Sequence, residues 1–294
     1  MLSRFFVSGL TAMLLATSPL VLAQPEHEMQ LAASSVPRLH SSAALVVNAQ
    51  TGEVLFGKNT DRMMSIASIT KLMTAMVMLD SGQPLDELIT ISEAEIDRLK
   101  NTSSRLAVGS VLSRREMLLL ALMSSENRAA ASLARTSPGG TSAFVSRMNQ
   151  KARQLGMHST RFYDPTGLDS RNTSTAEDLA RMVAAAYRYP LIREFSTTAN
   201  YVVSLNGRQR QFNNTNALVS SPDWQIGVSK TGFINESGKC LVMQAWLLNK
   251  PMIIVLLDSF GRFTRVADAQ RVKRWLESAA VQQKVAAAVR TPST

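Results

Sequence analysis

Strand-like and helix-like hydrophobic patterns are segregated along this chain, and their order limits the fold. Residues 43–48 form an apolar run and residues 53–56 alternate, with a turn ending in Gly52 between them. This spacing predicts a hairpin. Three more strand-like runs lie late, at 224–231, 239–248 and 252–258, joined at Asn235-Glu236-Ser237-Gly238 and Asn249-Lys250-Pro251. Between the two groups, apolar residues recur at helical spacing over 65–80, 114–135, 141–155 and 175–189, and again over 263–289. The first of these places Ile69, Leu72, Met73, Met76 and Val77 on the helix. The second is interrupted at 124–127. The order predicts an α+β fold, an α/β sandwich with one antiparallel sheet drawn from both chain ends and a helical subdomain inserted between them. A cleft between sheet and helices is the natural place for a site.

The first 23 residues read as a processing segment. Arg4 supplies a positive start, residues 5–22 are apolar but broken by Gly9 and Pro19, and Val21-Leu22-Ala23 resembles a cleavage site. Residues 24–42 read as a linker, 43–289 as the folded domain and 290–294 as a tail. The expected location is a bacterial periplasm. The formal net charge is +10, or +9 without the leader, and no Lys/Arg block or nucleic-acid motif accompanies it. That favours an anionic polymer over nucleic acid as partner. The single cysteine, Cys240, excludes an internal disulfide and sits in an apolar run that predicts a core position. His27, His40 and His158 are scattered, so no metal and no cofactor are expected. Arg265, Arg271, Lys273 and Arg274 give the last helix basic character, which implies peripheral membrane association at most. Val266, Val272, Trp275 and Leu276 are expected to pack that helix on the sheet.

Three short motifs carry chemistry: Ser68-Ile69-Thr70-Lys71, Ser125-Glu126-Asn127 and Lys230-Thr231-Gly232. Ser68 and Lys71 are three apart at a helix start, which puts them on one face, one turn apart. A lysine acts as a base only when neutral, and lowering its pKa from about 10.4 to about 7.5 takes roughly 4 kcal/mol. Burial and a neighbouring cation supply that, and Lys230 is the candidate neighbour. Ser125 and Asn127 lie in the helical interruption, where both project into a cleft and Glu126 points away. Ser-x-Asn also recurs at Ser170-Arg171-Asn172 and Ser204-Leu205-Asn206, so that motif is weak alone. Lys230-Thr231-Gly232 is read as a strand end: Gly232 admits a substrate backbone, while Lys230 and Thr231 bind an anionic group. The backbone N–H of Phe233, with that of Ser68, would complete an oxyanion hole.

Together the motifs resemble the serine penicillin-binding-protein and β-lactamase superfamily. Thr51-Gly52-Glu53-Val54-Leu55, the stretch from Ile66 to Thr74 and Asp164-Pro165-Thr166-Gly167-Leu168 extend the likeness over most of the chain. The last is similar to a family segment at the cleft rim. It holds no glutamate to activate a deacylating water, unlike a class A β-lactamase. Only 62 residues follow Gly232, and two strands and a helix use them, leaving no space for the second domain of the common membrane-bound carboxypeptidases. The resemblance is therefore to the D-alanyl-D-alanine endopeptidase branch, the penicillin-binding protein 7 and 8 type. It implies a penicillin-binding-protein catalytic domain, Ser68 as nucleophile, Lys71 as general base and Ser125 as proton relay. Asn127, Lys230, Thr231, Gly232 and Phe233 would bind substrate. The implied partners are peptidoglycan peptides, with β-lactams as covalent inhibitors. D-alanyl-D-alanine carboxypeptidase and a non-catalytic, penicillin-sensing wall-binding protein are the alternatives.

Overall fold

The computed structural model describes residues 36–261 and 263–290. The expected leader (1–23), most of the linker (24–42) and the tail beyond residue 290 lie outside the described residues. The chain enters through β1 (Ser41–Asn48) and β2 (Val54–Lys58). Three two-stranded ribbons follow within the helical region: β3 (Met64–Ser65) with β6 (Thr173–Ser174), β4 (Leu88–Thr90) with β5 (Val111–Ser113), and β7 (Asn200–Leu205) with β8 (Arg208–Asn213). The chain returns through β9 (Gln225–Ile234), β10 (Gly238–Leu247) and β11 (Lys250–Ser259). The main sheet has the order β2-β1-β11-β10-β9, antiparallel throughout. Strands from both chain ends thus form one sheet.

The helices are α1 (Thr70–Asp80), α2 (Arg114–Met123), α3 (Asn127–Arg135), α4 (Gly140–Gln154), α5 (Ala176–Ala186), α6 (Pro190–Ser196) and α7 (Thr264–Arg290). Among the described residues no helix is long and apolar enough to cross a membrane. Alternation along the strands assigns the two faces of the sheet. Ile253, Val255 and Leu257 of β11 join Leu45, Cys240 and Val242 in the core beneath the helical subdomain. Met252, Ile254 and Leu256 join Val46, Leu241 and Met243 against Ala269, Val272 and Leu276 of α7. Both faces are covered, so the strands read as apolar runs rather than as polar–apolar alternation. Val266 and Trp275 pack at the edge of the second core, and Trp275 meets Phe56 edge to face at 6.1 Å.

Several boundaries differ from the sequence reading. The first strand starts at Ser41, two residues early, because the Asp268 carboxylate accepts from the backbone N–H of His40 at 3.1 Å and of Ser41 at 2.8 Å. The helix read over 65–80 is a strand pair at Met64–Ser65, then a 3₁₀ turn at Ala67–Ile69, then α1. Strand β9 runs on to Ile234, so Lys230-Thr231-Gly232 lies inside a strand and not at its end. The ribbons and α6 were not expected from the pattern. Two ribbons are too short to show a period, and most of β8 is exposed and polar.

Candidate active site

Helix α1 is buried on every side from Thr70 to Met78, which marks it as the axis of the helical layer. Its polar members, Thr70, Lys71 and Thr74, are inside the protein and must find partners there. The turn before it carries Ser68 and is pinned between two backbones. Ala67 takes a left-handed φ of +45°. A Cβ on Gly167 would sit 1.9 Å from the Ala67 carbonyl oxygen. A Cβ on Gly232 would sit 2.8 Å from the Ile66 carbonyl oxygen and 3.2 Å from the Ser68 nitrogen. Only glycine allows both approaches.

Lys71 is fully buried. Its Nζ lies 2.7 Å from Asn127 Oδ1, 2.7 Å from the Thr166 carbonyl oxygen and 2.9 Å from Ser68 Oγ. The first two partners only accept. A neutral amine would give them its two N–H bonds, leaving its lone pair for the Ser68 hydroxyl. Burial brings the Lys71 pKa down from 10.5 to about 7, against the opposing pull of the Asp164 and Glu126 carboxylates. The expected neighbour effect is felt at the other lysine. Lys230 is held well below 10.5 by burial first, then by the positive charges of Lys71 and Arg265.

The loop 164–168 is held from within. The Asp164 carboxylate accepts from the N–H of Thr166 at 2.9 Å and of Gly167 at 3.0 Å, and from the Thr166 hydroxyl. Buried Asn172 fixes the loop from below. It accepts from the Tyr163 N–H at 2.7 Å and donates to the Asp164 carbonyl at 2.9 Å and to Thr70 Oγ1 at 3.1 Å. This aims the Thr166 carbonyl at Lys71.

Helix α2 begins with a reciprocal cap between Ser113 and Glu116 and stops at Met123. Ser125 follows at φ +61°, and this kink separates α2 from α3. Lys230 Nζ donates to Ser125 Oγ at 2.8 Å and to its neighbour's carbonyl, Thr231 O, at 2.9 Å. Asn127 opens α3 and donates to Thr102 Oγ1 at 3.0 Å while accepting from Lys71. Glu126 turns away and is buried, accepting from Ser104 Oγ at 2.6 Å and the Arg105 N–H at 3.2 Å. Thr231 Oγ1 donates to Thr215 Oγ1 at 2.6 Å. Arg265 reaches the Gly232 carbonyl at 3.4 Å. Phe233 is half-exposed beside it, with Lys239 Nζ 4.4 Å from its ring centre.

The three motifs therefore converge. Ser68, Lys71 and Asn127 form one bonded group, Ser125 and Lys230 another, and Ser125-Glu126-Asn127 joins them covalently. Thr166 lies in the segment read as a cleft-rim loop but was given no role of its own, and Asn172, Thr102 and Thr215 were not assigned to the site by sequence reasoning. Asn172 lies in the second Ser-x-Asn copy, where a repeat of the motif was its only signal. Thr166 acts through its carbonyl, which side-chain patterns do not report.

A family model described as D-alanyl-D-alanine carboxypeptidase matches residues 30–261. A D-alanyl-D-alanine endopeptidase of Pseudomonas aeruginosa is 51% identical over 85% of this chain and 81% of its own length. Its Escherichia coli namesake is 46% identical over 87% and 83%. Among solved structures, a Streptomyces DD-transpeptidase superposes with a TM-score of 0.76 at 30% identity, covering 82% of this chain and 98% of that one. With the serine–lysine geometry above, these matches establish that the chain belongs to the serine D-alanyl-D-alanine peptidase family.

Proposed function

We propose that this protein is a D,D-endopeptidase that hydrolyses D-alanyl–diaminopimelyl cross-links of peptidoglycan through an acyl-enzyme on Ser68. The observation that carries the chemistry is the fully buried Lys71, whose two acceptor-only partners leave its third contact for the Ser68 hydroxyl. Lys71 takes the Ser68 proton as Oγ attacks the D-alanyl carbonyl carbon. The backbone N–H groups of Ser68 and Phe233 take the charge on the carbonyl oxygen, and Gly232 lets strand β9 lie against Ser68 for this purpose. Ser125 gives its hydroxyl proton to the leaving nitrogen as the carbon–nitrogen bond breaks, and takes one in turn from Lys230, which donates to it. Water then attacks the ester, giving its proton to Lys230 by way of Ser125, while Lys71 returns its proton to Ser68 Oγ as the ester bond breaks and the D-alanyl carboxylate leaves.

The leaving amine of this cross-link sits on a carbon that also bears a carboxylate, as a terminal D-alanine does. Lys230, Thr231 and Arg265 gather positive charge and donors around one end of the site, which suits that carboxylate. Asn127 binds the substrate backbone. The names of the relatives favour the endopeptidase over the carboxypeptidase, and the shared carboxylate keeps the carboxypeptidase as second reading. Asp164 spends its carboxylate on Thr166 and Gly167, so no free carboxylate of the loop is set to activate water. Penicillin should therefore acylate Ser68 and leave slowly. The leader-like N-terminus supports export to the periplasm, where this substrate is found.

The test is incubation of the protein with cross-linked muropeptide dimers, read by mass spectrometry, with Ser68→Ala as control. Monomers that form with wild type and not with Ser68→Ala support the endopeptidase. Release of terminal D-alanine alone makes it a carboxypeptidase. No product from either substrate, with penicillin still bound covalently, overturns both.

A further inference from the structure

A cavity of about 380 Å³ opens beside the site, lined in part by Asn127 and Thr166, the two residues that hold Lys71. No residue of β9 lines it. It therefore lies away from the Lys230–Thr231 end assigned to the leaving group. Its walls are mainly apolar, from Ile96, Leu99, Ala131, Pro165 and Leu168.

The carboxylates that border it are already engaged. Glu95 accepts from Ser92 and Arg135, Asp97 from the N–H groups of Leu99, Lys100 and Thr102, Asp164 from those of Thr166 and Gly167, and Asp169 from Arg171. Arg98 differs: it is exposed on the rim and has no hydrogen bond or ion pair among the described residues. The cavity thus combines an apolar wall with one uncommitted guanidinium, a group that favours planar, two-point binding of a carboxylate.

We infer that this cavity selects the residue preceding D-alanine in the acyl donor, and that Arg98 pairs with the carboxylate at the end of its side chain. This rests on the peptidoglycan-peptidase reading above. A diaminopimelyl side chain matches it in both parts. Its methylenes suit the apolar wall, and its terminal carbon carries a carboxylate for Arg98. That carbon also carries an ammonium, which the negative charge of Asp97, held by uncharged N–H and O–H donors alone, favours. A lysine side chain offers the ammonium without the carboxylate. Arg98 is a specificity residue in this scheme and has no part in the acyl-transfer steps.

The experiment compares donors that differ only in diaminopimelate or lysine before D-alanyl-D-alanine, on wild type, Arg98→Ala and Arg98→Lys. For wild type we expect kcat/KM to favour diaminopimelate by about tenfold, the scale of one charge-assisted contact. Arg98→Ala should lose most of that preference, with the lysine donor and penicillin labelling unchanged, and Arg98→Lys should recover part of it. An undiminished preference in Arg98→Ala overturns the inference, as does an equal loss on both donors. The donors are presented both as pentapeptides and within dimers. Failure to cut dimers therefore counts against the endopeptidase alone, while the pentapeptides still read Arg98. Competition of each donor with penicillin for Ser68 gives the same comparison without turnover, and equal competition by both donors in wild type also overturns it.

Discussion

Replacing Lys71 by arginine keeps a cation on the helix but removes a group able to lose its proton near neutrality. Burial lowers the lysine from 10.5 to about 7. That difference corresponds to about 5 kcal/mol between the protonation states. At pH 7 about half of the Lys71 side chains are then neutral, against about one in three thousand for an ordinary lysine. With Lys71 as the proposed base, this difference in the neutral fraction predicts about three orders of magnitude in rate. The assay is the second-order rate constant for covalent labelling of Ser68 by a fluorescent penicillin, from about pH 5 to about pH 9. Wild type should gain tenfold per pH unit below a midpoint near 7 and level off above it. Lys71→Arg, which is neutral still more rarely than an ordinary lysine, should be slower by at least about a thousandfold at pH 7 and show no such rise, with its melting curve confirming that it folds. Glu126→Gln removes a carboxylate that raises the Lys71 pKa, so its midpoint should move to lower pH. A flat wild-type profile through neutrality, or labelling of Lys71→Arg near the wild-type rate, would refute Lys71 as the base.

The same titration appears in stability. Between about 7 and 10.5 the unfolded chain keeps the Lys71 proton and the folded one does not, so stability from this group rises with pH, by about 1.4 kcal/mol per unit. Urea melts of wild type and Lys71→Met across that window should differ by this slope, and a slope of the other sign contradicts it. Gly167→Ala forces a side chain onto the Ala67 carbonyl at a left-handed φ of +84°. It should cost roughly 2–4 kcal/mol in chemical denaturation and slow penicillin labelling more than tenfold; wild-type labelling would show that the Ser68 turn does not depend on this contact. Cys240 is buried with its thiol pushed up to about 11, so iodoacetamide should leave the native protein unmodified and react only after denaturation.

The layer order was legible because sheet and helix patterns are separated in the sequence and each has its own period. The motif residues were legible because side-chain type and spacing mark them, and the fold brings Ser68, Lys71 and Asn127 into one bonded group and Ser125 and Lys230 into another. What escaped was contributed by backbone or by folded context. The Thr166 carbonyl, the left-handed turns at Ala67 and Ser125, and the approach of Gly167 to Ala67 leave no side-chain pattern. Asn172 looks like any loop asparagine until the fold buries it under Asp164. The strand end expected at Gly232 failed for a related reason. The run Phe233-Ile234 continues the ladder onto Lys239 and Gly238, and Gly232 marks a close approach there rather than a stop.

The sheet order has a consequence for how the protein comes into being. β1 pairs early with β2, but its other neighbour is β11: Ser41 pairs with Ser259 and Asn48 with Met252, so that side of β1 is closed only when the last part of the chain is available. Contacts this remote in sequence close late and slow folding. Lys230 arrives on β9, two strands from β11 in the same late-forming ladder, and Gly232 brings with it the backbone that packs on Ser68. A nascent chain that has already formed α1 holds Ser68 and Lys71 together without these partners. Assembly of the proposed site is thereby tied to the arrival of the late strands, since Ser68 and Lys71 meet the Lys230 side of the site only once β9 is in place.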